Sequence, residues 1–339
     1  MKILVTGGTG FIGSHTCVEL ISTDHEPIII DNFSNSQKWI LDRIEKIARK
    51  KIIFYEGDCS DSNFLQSVFE KEKNIEGVIH FAAFKAVGES MTKPLDYYKN
   101  NLNSLILILE KMQKFKVKNL VFSSSATVYG DPEYCPIDET APRKSSPSPY
   151  GKTKAICEDI ISDTVNGNKN ICAIALRYFN PIGAHPSGLI GELPIGAPNN
   201  LVPYVTQTAD GIREKLTVFG NDYPTPDGSG VRDFIHVVDL AKAHIKTLEY
   251  LKEKEIPFYD VFNVGTGAGN SVLEIIETFE KTNRVKVPYT IGPRREGDIA
   301  TCYADNAKIK KAMGWQAKKS LEDSLRDAWN WQRNLDQNI

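Results

Sequence analysis

The 339-residue sequence contains no hydrophobic run near the length of a membrane-spanning helix. Such a helix needs about 20 consecutive apolar residues. The start, MKILVTGG, reaches a threonine and two glycines after three apolar residues, too soon for a secretory signal peptide. We therefore expect a soluble, cytoplasmic protein with no membrane partner.

An excess of charge of one sign is also absent. The 41 lysines and arginines nearly balance the 43 aspartates and glutamates, and both signs are mixed along the chain. Basic runs such as residues 49–51 are typical of solvated loops or helix ends. A nucleic-acid-binding surface needs a concentrated basic patch, so we expect no nucleic-acid partner.

Cysteine motifs are lacking as well. The six cysteines stand at positions 17, 59, 135, 157, 172 and 302, with no CxxC pair and no spacing typical of metal ligands. In a chain large enough to bury a core of its own, this pattern predicts reduced thiols and no metal site.

Short apolar runs are present, and segments of helical pattern separate them. The runs are KILVTG (2–7), EPIIIDN (26–32), KIIFYEGD (51–58), GVIHFAA (77–83), NLVFSSS (119–125) and ICAIALRYFN (171–180). Helices are predicted over 14–22, 62–72 and 102–115. Strands buried on both faces and joined by helical crossovers indicate a parallel sheet. We predict an α/β fold with a Rossmann-type, doubly wound parallel sheet.

The pattern changes after residue 180. Residues 181–200 contain four prolines and four glycines, which predicts a loop, and a helix over 201–213 and a strand over 216–220 follow. Residues 234–264 return to the earlier helix-and-strand pattern. We predict a nucleotide-binding domain over 1–180 with a returning segment at 234–264. A smaller C-terminal α/β substrate domain is predicted from 181–233 and 265–339.

A glycine-rich stretch, TGGTGFIGSH (6–15), joins the first strand to the first helix. Gly7 permits a tight turn, Gly10 lets the backbone approach a pyrophosphate, and Gly13 lets the helix pack closely on the sheet. The N-terminus of the helix then favours the phosphates. A glycine turn alone would also suit any tight strand–helix connection.

A carboxylate at the end of the second strand indicates which dinucleotide binds. Asp31 lies 18 residues after Gly13, where it can accept hydrogen bonds from adenosine ribose hydroxyls and repel a 2′-phosphate. The nearest following base is Lys38, so NAD is predicted rather than NADP. Asp58, at the end of the third strand, either meets the adenine amino group or is an ordinary turn residue.

A serine, a tyrosine and a lysine follow the fifth strand. Ser125 ends that strand, and Tyr150 and Lys154 lie one turn apart on a predicted helix. Ser148 and Pro149 are typical of a helix start. Because the ordinary pKa of tyrosine is about 10, a nearby ammonium is needed to favour the phenolate. The set indicates removal of an alcohol proton during hydride transfer, although each residue alone is common in a structural role.

Longer blocks of sequence extend these motifs. They are HFAAFKAVGES (80–90), LRYFNPIGAHPSG (176–188), PNNLVPY (198–204), FGNDYPTPDGSGVRDFIHVVDLA (219–241) and PRREGD (293–298). With the glycine turn and the Ser–Tyr–Lys set, they resemble the UDP-glucose 4-epimerase family of the extended short-chain dehydrogenase/reductase superfamily, over residues 1 to about 335. The resemblance implies an isomerase that interconverts UDP-glucose and UDP-galactose at C4 through a 4-keto sugar, with tightly bound NAD. It also implies a homodimer joined through helices near 92–115 and 151–166.

The resemblance implies roles for individual residues. Tyr150 is the base and acid, Ser125 bonds the sugar O4, and Lys154 tunes the tyrosine and holds the nicotinamide ribose. Matching cofactor positions are Gly7, Gly10, Phe11, Ile12, Gly13, Asp31, Asn32, Asn35, Ser36, Asp58, Cys59, Phe81, Ala82, Lys85, Asn100, Ser125, Tyr150, Lys154 and Phe179. Matching substrate positions are Ser125, Tyr150, Asn180, Asn200, Leu201, Thr217, Phe219, Arg232, Arg295, Asp298 and Cys302.

Three of the substrate positions carry specific expectations. Arg232 and Arg295 are implied to clamp the diphosphate, although an Arg–Asp pair such as Arg232–Asp233, taken singly, is more often a structural salt bridge. Cys302 stands where some family members have a bulky tyrosine beside the sugar C2. We hypothesise that the smaller side chain admits UDP-N-acetylglucosamine and UDP-N-acetylgalactosamine; alternatively, Cys302 is a small packing residue.

Two alternative functions were weighed against this one. Nucleotide-sugar 4,6-dehydratases place an acidic pair after the strand-five serine or threonine, where this chain has Ala126 and Thr127. A non-catalytic dinucleotide-sensing protein would have no need for the Ser–Tyr–Lys set together with both arginines. The sequence therefore favours an NAD-dependent nucleotide-sugar epimerase.

Overall fold

The structure is a computed structural model that describes residues 1–295 and 297–335, apart from the side chain of Asn168. Its strands are β1 (Lys2–Thr6), β2 (Glu26–Asp31), β3 (Ile53–Glu56), β4 (Gly77–His80), β5 (Asn119–Ser125), β6 (Cys172–Tyr178), β7 (Asn180–Ile182), β8 (Leu216–Phe219), β9 (Val231–Arg232), β10 (Phe234–His236), β11 (Phe258–Val264), β12 (Asn270–Ser271), β13 (Tyr289–Gly292) and β14 (Thr301–Cys302).

The helices alternate with these strands through most of the chain. They are α1 (Phe11–Ser22), α2 (Ile40–Ala48), α3 (Ser62–Lys71), α4 (Val87–Thr92), α5 (Pro94–Phe115), α6 (Pro149–Asn168), α7 (Leu201–Ala209), α8 (Val237–Lys252), α9 (Val272–Asn283), α10 (Ala307–Met313) and α11 (Leu321–Leu335). A short 3₁₀ helix over Ala126–Tyr129 follows β5 directly.

Seven strands form one parallel sheet in the order β11-β6-β5-β4-β1-β2-β3. Alternate side chains of its strands enter two separate cores. Ile3 and Val5 belong to a core that includes α1, α2 and α8, while Leu4 belongs to a core that includes α3, α5 and α6. Each such fully buried side chain contributes about 2 kcal/mol. The predicted Rossmann-type α/β fold is confirmed.

All six predicted strands of this sheet are present, but some predicted helix bounds are wrong. Helix α5 begins at Pro94, eight residues before the predicted 102, because the closely spaced leucines and isoleucines that indicate this helix begin only at Leu102. Helix α7 ends at Ala209 rather than 213. Helix α9 was not predicted, although Ser271 and Glu274 form a capping box at its start.

The rest of the chain builds smaller sheets beside the carboxyl edge of the large one. Strand β9 pairs with β12 and β14, which places Arg232 opposite Cys302, and β8 pairs with β13. Helices α7, α9 and α11 cover a separate core that contains Val205, Phe279 and Leu325. The division into domains at 1–180 with 234–264, and at 181–233 with 265–339, stays a prediction, and residues 336–339 lie outside the described ranges.

Three general properties follow from the described residues. None of their helices combines the length and the apolarity that crossing a bilayer requires. All six cysteines are free thiols. Within residues 1–295 and 297–335, no group of three or more histidine, cysteine, aspartate or glutamate side chains is placed to hold a metal ion.

Candidate active site

The glycine turn between β1 and α1 leaves a backbone cradle at the carboxyl edge of the sheet. Gly7 has φ +69°, and a Cβ there would lie 2.9 Å from the backbone nitrogen of Ala82. A Cβ on Gly13 would lie 2.2 Å from the carbonyl oxygen of Gly7. Gly10 is the N-cap of α1, so no side chain covers the first N–H groups of that helix. The cradle therefore fits a pyrophosphate.

The carboxylate of Asp31 is fixed beside this cradle. Its Oδ2 accepts a hydrogen bond from the backbone N–H of Thr9 at 3.0 Å. Its Oδ1 accepts from the N–H of Phe33 at 2.9 Å and from the Ser36 hydroxyl at 3.0 Å. Since each carboxylate oxygen can accept two hydrogen bonds, Oδ2 keeps capacity for a ribose hydroxyl.

Asp58, at the end of β3, has the contacts of a turn residue. Its Oδ1 accepts hydrogen bonds from the backbone and the hydroxyl of Ser60, at 2.7 and 2.6 Å. Its Oδ2 accepts from the amide of Asn32 at 3.1 Å. Burial raises the pKa of Asp58, but these hydrogen bonds outweigh burial and hold the pKa below its ordinary value. The adenine contact stays a prediction, and the Asn32 bond places that carboxylate near the end of β2.

The start of α6 has the predicted form. Ser148 is the N-cap, its hydroxyl accepts a hydrogen bond from the N–H of Gly151 at 3.2 Å, and Pro149 is the first helical residue. Tyr150 and Lys154 are buried, with exposed fractions of 9% and 3%. The Lys154 ammonium donates a 2.6 Å hydrogen bond to the carbonyl of Ser123 in β5.

Ser125 lies between the strand and this helix. Its hydroxyl oxygen accepts hydrogen bonds from the backbone N–H and the hydroxyl of Thr127, at 3.2 and 2.9 Å. The Ser125 hydroxyl also acts on the Tyr150 phenol, whose pKa it lowers. The structure therefore brings Ser125, Tyr150 and Lys154 together, as the sequence predicts.

Burial shifts the pKa of both ionisable members of this set. It raises the pKa of Tyr150 to about 12, against a smaller lowering by the Ser125 hydrogen bond. It lowers the pKa of Lys154 to about 8, while the nearby Cys157 and Glu158 act to raise it. The lysine is therefore a cation that changes protonation state just above neutral pH, beside a phenol that needs further positive charge to ionise.

A buried ion pair holds α6 against the sheet one helical turn beyond Lys154. Glu158, one turn after Lys154, accepts a 2.6 Å hydrogen bond from the Ser124 hydroxyl. It also accepts two from Arg177 of β6, from Nε at 2.9 Å and from Nη2 at 2.6 Å. Sequence reasoning missed the Glu158–Arg177 pair. The available signal was the spacing of four residues between Lys154 and Glu158, which puts both side chains on one helix face.

The other predicted cofactor residues surround the carboxyl ends of the strands. Phe11 and Ile12 open α1; Asn32, Asn35 and Ser36 follow β2; Cys59 follows β3; Phe81, Ala82 and Lys85 follow β4; Asn100 lies in α5; and Phe179 follows β6. Phe81 packs against His244 of α8 with ring centroids 4.7 Å apart. Their contacts with a cofactor stay predictions.

Two arginines predicted to bind the diphosphate converge on one aspartate. Arg295 donates to Asp298 from Nε at 2.8 Å and from Nη2 at 3.2 Å. Nη2 of Arg232 lies 3.9 Å from the same carboxylate. The Arg295 guanidinium also lies 5.1 Å from the centre of the Phe219 ring.

The aspartate next to Arg232 in the sequence has a different role. Asp233 is fully buried and accepts hydrogen bonds from the backbone N–H groups of Thr266, Gly267 and Ala304, at 2.8, 3.1 and 3.2 Å. Asp233 therefore joins neighbouring segments of backbone, while Nη1 of Arg232 donates to the carbonyls of Val231 and Ala300, at 2.8 and 3.5 Å.

The remaining predicted substrate residues lie in the smaller sheets and at the start of α7. Asn180 opens β7, Asn200 and Leu201 open α7, Thr217 lies in β8 beside Phe219, and Cys302 lies in β14 opposite Arg232. Cys302 is half-buried and packs against a core that includes Phe179 and Tyr129. Sequence reasoning missed Glu192, whose carboxylate contacts both Lys85 and Asn200.

The fold and the buried tyrosine–lysine pair define the class of protein, an extended short-chain dehydrogenase/reductase. The sequence matches the GDP-mannose 4,6 dehydratase family over residues 4–328. It is 54% identical over 332 residues to the UDP-glucose 4-epimerase of Bacillus subtilis (strain 168), covering 98% of this chain and 97% of that protein.

Solved structures agree with this match. One is the UDP-glucose-4-epimerase of Stenotrophomonas maltophila with bound NAD and formylated UDP-arabinopyranose, with a TM-score of 0.97, 45% identity and 100% of both chains covered. Another is the UDP-Glc/GlcNAc 4-epimerase of Campylobacter jejuni, with a TM-score of 0.85 and 38% identity over 98% of this chain and 99% of that one. The chain belongs to the UDP-glucose 4-epimerase family.

Proposed function

We propose that this enzyme interconverts UDP-glucose and UDP-galactose at C4 through a transient 4-keto sugar, with tightly bound NAD as its cofactor. The observation that carries the proposal is the buried Tyr150 phenol, with the Lys154 ammonium 6.0 Å from its ring centre and the Ser125 hydroxyl close enough to lower its pKa. The set lies at the carboxyl edge of the sheet that also carries the glycine turn, where ligands of such folds bind.

The residues of the set divide the proton chemistry. The Ser125 hydroxyl orients the sugar O4, and Tyr150 removes the O4 proton and later returns it. When bound, oxidised NAD supplies a hydride acceptor at the sugar C4 and a positive charge that favours the Tyr150 phenolate. Because a phenol with a pKa of about 12 is almost entirely protonated at neutral pH, Tyr150 also depends on the Lys154 ammonium.

The arginines and Asp298 suit the nucleotide half of the substrate. A diphosphate offers two anionic groups to Arg232 and Arg295, which share the single carboxylate of Asp298. Guanidinium groups bind phosphate oxygens in a bidentate manner. We propose that the diphosphate takes over the arginines and that Asp298 then accepts hydrogen bonds from the uridine ribose.

Cys302 supports a wider sugar specificity. It is half-buried in β14 opposite Arg232, and its side chain is much smaller than the tyrosine of some family members. The structural similarity to a protein named UDP-Glc/GlcNAc 4-epimerase supports turnover of N-acetylated UDP-sugars. We propose UDP-N-acetylglucosamine and UDP-N-acetylgalactosamine as additional substrates.

The proposal includes a homodimer in the cytoplasm. Helices α4, α5 and α6 expose large apolar side chains, with exposed fractions of 59% for Met91 and 79% for Leu95. Exposed apolar side chains grouped on neighbouring helices are typical of a protein–protein interface. The free thiols and the nucleotide-sugar substrate support a reducing, cytoplasmic location.

A dehydratase function fits the site less well, despite the name of the matching family. The two residues after Ser125 are Ala126 and Thr127 at the start of the 3₁₀ helix, and neither can act as a carboxylic acid. A dinucleotide-sensing protein would not need the Ser–Tyr–Lys set beside both arginines.

The test is an assay of the purified enzyme with UDP-galactose and no added NAD. We expect UDP-glucose to form, and NAD to be recovered from the protein after denaturation. Activity without added cofactor follows because each cycle returns the hydride to the sugar. Absence of turnover in NAD-loaded enzyme would overturn the proposal, and formation of a stable 4-keto-6-deoxy sugar would favour the dehydratase alternative.

A further inference from the structure

One carboxylate connects a predicted cofactor residue to a predicted substrate residue. Oε1 of Glu192 lies 3.3 Å from the Lys85 ammonium and accepts a hydrogen bond from the Asn200 amide at 2.6 Å. Lys85 follows β4 of the large sheet, whereas Asn200 is the residue before α7 in the smaller part of the chain. Glu192 therefore links the two parts of the candidate site through a single oxygen atom.

The Asn200 side chain does not act as a helix cap, although the residue stands at the N-cap position. Asparagine at an N-cap usually accepts a hydrogen bond from a backbone N–H of the first turn. The side chain of Asn200 makes no such bond with α7 and donates to Glu192 instead. Loss of a cap costs about 1 kcal/mol, so the Glu192 contact has displaced a stabilising interaction.

The backbone of Glu192 is held in place by the last helix. Its carbonyl oxygen accepts a 3.0 Å hydrogen bond from the indole nitrogen of Trp331 in α11. The preceding residue, Gly191, packs so closely that a Cβ there would lie 2.4 Å from the Trp331 ring. The Glu192 side chain therefore starts from a fixed backbone position, and its carboxylate is only 10% exposed.

A purely stabilising ion pair is a weaker explanation of these contacts. Pairs that involve an exposed side chain contribute at most about 1 kcal/mol, and the Lys85 side chain is 50% exposed. Glu192, by contrast, is only 10% exposed, and a carboxylate buried to that extent needs polar partners. Both of its side-chain partners are positions predicted to contact ligands.

We propose that Glu192 is a positioning residue that couples cofactor binding to nucleotide-sugar binding. It holds Lys85 on the cofactor side and Asn200 on the substrate side. A ligand that moves either residue therefore changes the position of the other through Glu192. The inference rests on the proposed function, because it takes NAD and a nucleotide sugar as the ligands, and on the ligand contacts of Lys85 and Asn200 that the family resemblance implies. Coupling of this kind is reciprocal: UDP tightens NAD binding by the same factor by which NAD tightens UDP binding.

Two substitutions separate the two contacts. Glu192→Gln keeps an oxygen that Asn200 can donate to but removes the charge that faces Lys85. Glu192→Ala removes both contacts. A matched control is Glu249→Gln, which breaks an exposed ion pair with Lys246 on α8, 2.6 Å long and remote from both residues of the coupling.

The measurement is the rate of NAD release from the holoenzyme, with and without saturating UDP, together with the Kd for UDP. In the wild type and in Glu249→Gln we expect UDP to slow NAD release by about tenfold, within the usual range of coupling between two sites. In Glu192→Ala we expect this ratio to fall close to one. In Glu192→Gln we expect an intermediate ratio with the Kd for UDP nearly unchanged.

A double substitution identifies the route of the coupling. Lys85→Met should reduce the UDP effect in the wild type and should have no further effect in Glu192→Ala, because the two residues act together. A wild-type ratio in Glu192→Ala with UDP bound would overturn the inference. If Glu192→Ala folds poorly, Glu192→Gln serves as the test. A UDP effect on NAD release in that variant equal to the wild-type effect would overturn the inference.

Failure of the proposed function would look different. In that case the wild-type protein would hold no NAD or would not turn over UDP-galactose. Failure of the coupling inference alone would leave wild-type turnover and NAD content intact, with the same UDP effect on NAD release in Glu192→Ala and in the Glu249→Gln control.

Discussion

The Lys154 ammonium donates a 2.6 Å hydrogen bond to the carbonyl of Ser123, and its nitrogen lies 6.0 Å from the centre of the Tyr150 ring. The bond anchors the charge of α6 at the end of β5, two residues before Ser125. Tyr150 and Lys154 lie one turn apart on the same helix, so anchoring the lysine also restrains the tyrosine. This hydrogen bond thus ties the positions of both α6 side chains to the end of β5.

Replacing Tyr150 by phenylalanine removes the acid and base while keeping the ring. We expect the kcat for UDP-galactose to fall by about 10²- to 10⁴-fold, the usual contribution of a positioned proton-transfer group. NAD content should stay at the wild-type level because the packing is unchanged. The check is a turnover assay with NAD quantified in the same preparation, and a variant that kept most of its turnover would contradict the assigned role.

Replacing Lys154 by methionine should change how stability depends on pH. Burial lowers the pKa of Lys154 from 10.5 to about 8, so below pH 8 the folded state carries a charge it holds unfavourably, at a cost of about 3 kcal/mol. Above pH 8 the unfolded state binds more protons than the folded state, and wild-type stability therefore rises towards pH 10.5.

The expected result is that Lys154→Met gains stability relative to the wild type below pH 8, and that this gain disappears between pH 8 and about 10.5. Urea unfolding from pH 7 to 10.5, with matched NAD content, measures the difference. A gain that grew with pH would contradict the direction of the pKa shift. Turnover at pH 7 should be lost in the variant, since Tyr150 would lack its cationic neighbour.

Alanine at Gly13 should abolish cofactor retention. Its Cβ would lie 2.2 Å from the Gly7 carbonyl oxygen and 2.9 Å from the Gly8 Cα, both of them backbone atoms that cannot easily move aside. We expect the purified variant to hold little NAD and to unfold at a lower temperature. The matched control is Gly167→Ala in α6, where a Cβ meets nothing within 4 Å; it should keep its NAD and gain about 0.5–1 kcal/mol of stability.

The Glu158–Arg177 pair should contribute to the stability of the site. Glu158→Gln leaves Arg177 buried with a neutral partner, and breaking a buried ion pair in this way costs about 3–5 kcal/mol. Replacing both residues by leucine and methionine should recover most of that loss. Denaturant unfolding measures the free energy of unfolding of the single and the double variant. Equal losses of stability in the two variants would contradict the argument.

Tyrosine at Cys302 should restrict sugar specificity. We expect Cys302→Tyr to keep turnover of UDP-galactose and to lose most turnover of UDP-N-acetylgalactosamine, because a bulky ring would fill the space proposed for the acetamido group. Cys302→Ser, which keeps the side chain small, is the control and should retain both activities. Retention of the acetylated substrate by the tyrosine variant would show that this position does not limit the sugar.

The large sheet could be predicted from the sequence because its strands are recognisable as apolar runs. Strands buried on both faces form continuous apolar runs, and the run over 119–125 coincides with β5. Strands β9, β12 and β14 have two residues each, too few to show any periodicity. The start of α5 was missed for another reason: the closely spaced leucines and isoleucines that indicate this helix begin only at Leu102.

The candidate site likewise has residues that local sequence patterns connect and residues that they do not. Tyr150, Lys154 and Ser125 are connected by helix spacing and by the end of one strand, both of which are local patterns. Glu192 lies 107 residues from Lys85 in the chain. No local pattern joins two such positions, and only the folded chain brings them into contact.

The position of Trp331 has a consequence for translation. Chains leave the ribosome from the N-terminus and fold as they emerge, so the glycine turn and the strands up to β6 are synthesised well before α11. The indole that donates to the backbone of Glu192 lies 139 residues after it in the chain. A nascent chain therefore contains the glycine turn long before Glu192 gains this hydrogen bond, and a stop codon just upstream of Trp331 would spare the former while removing the latter.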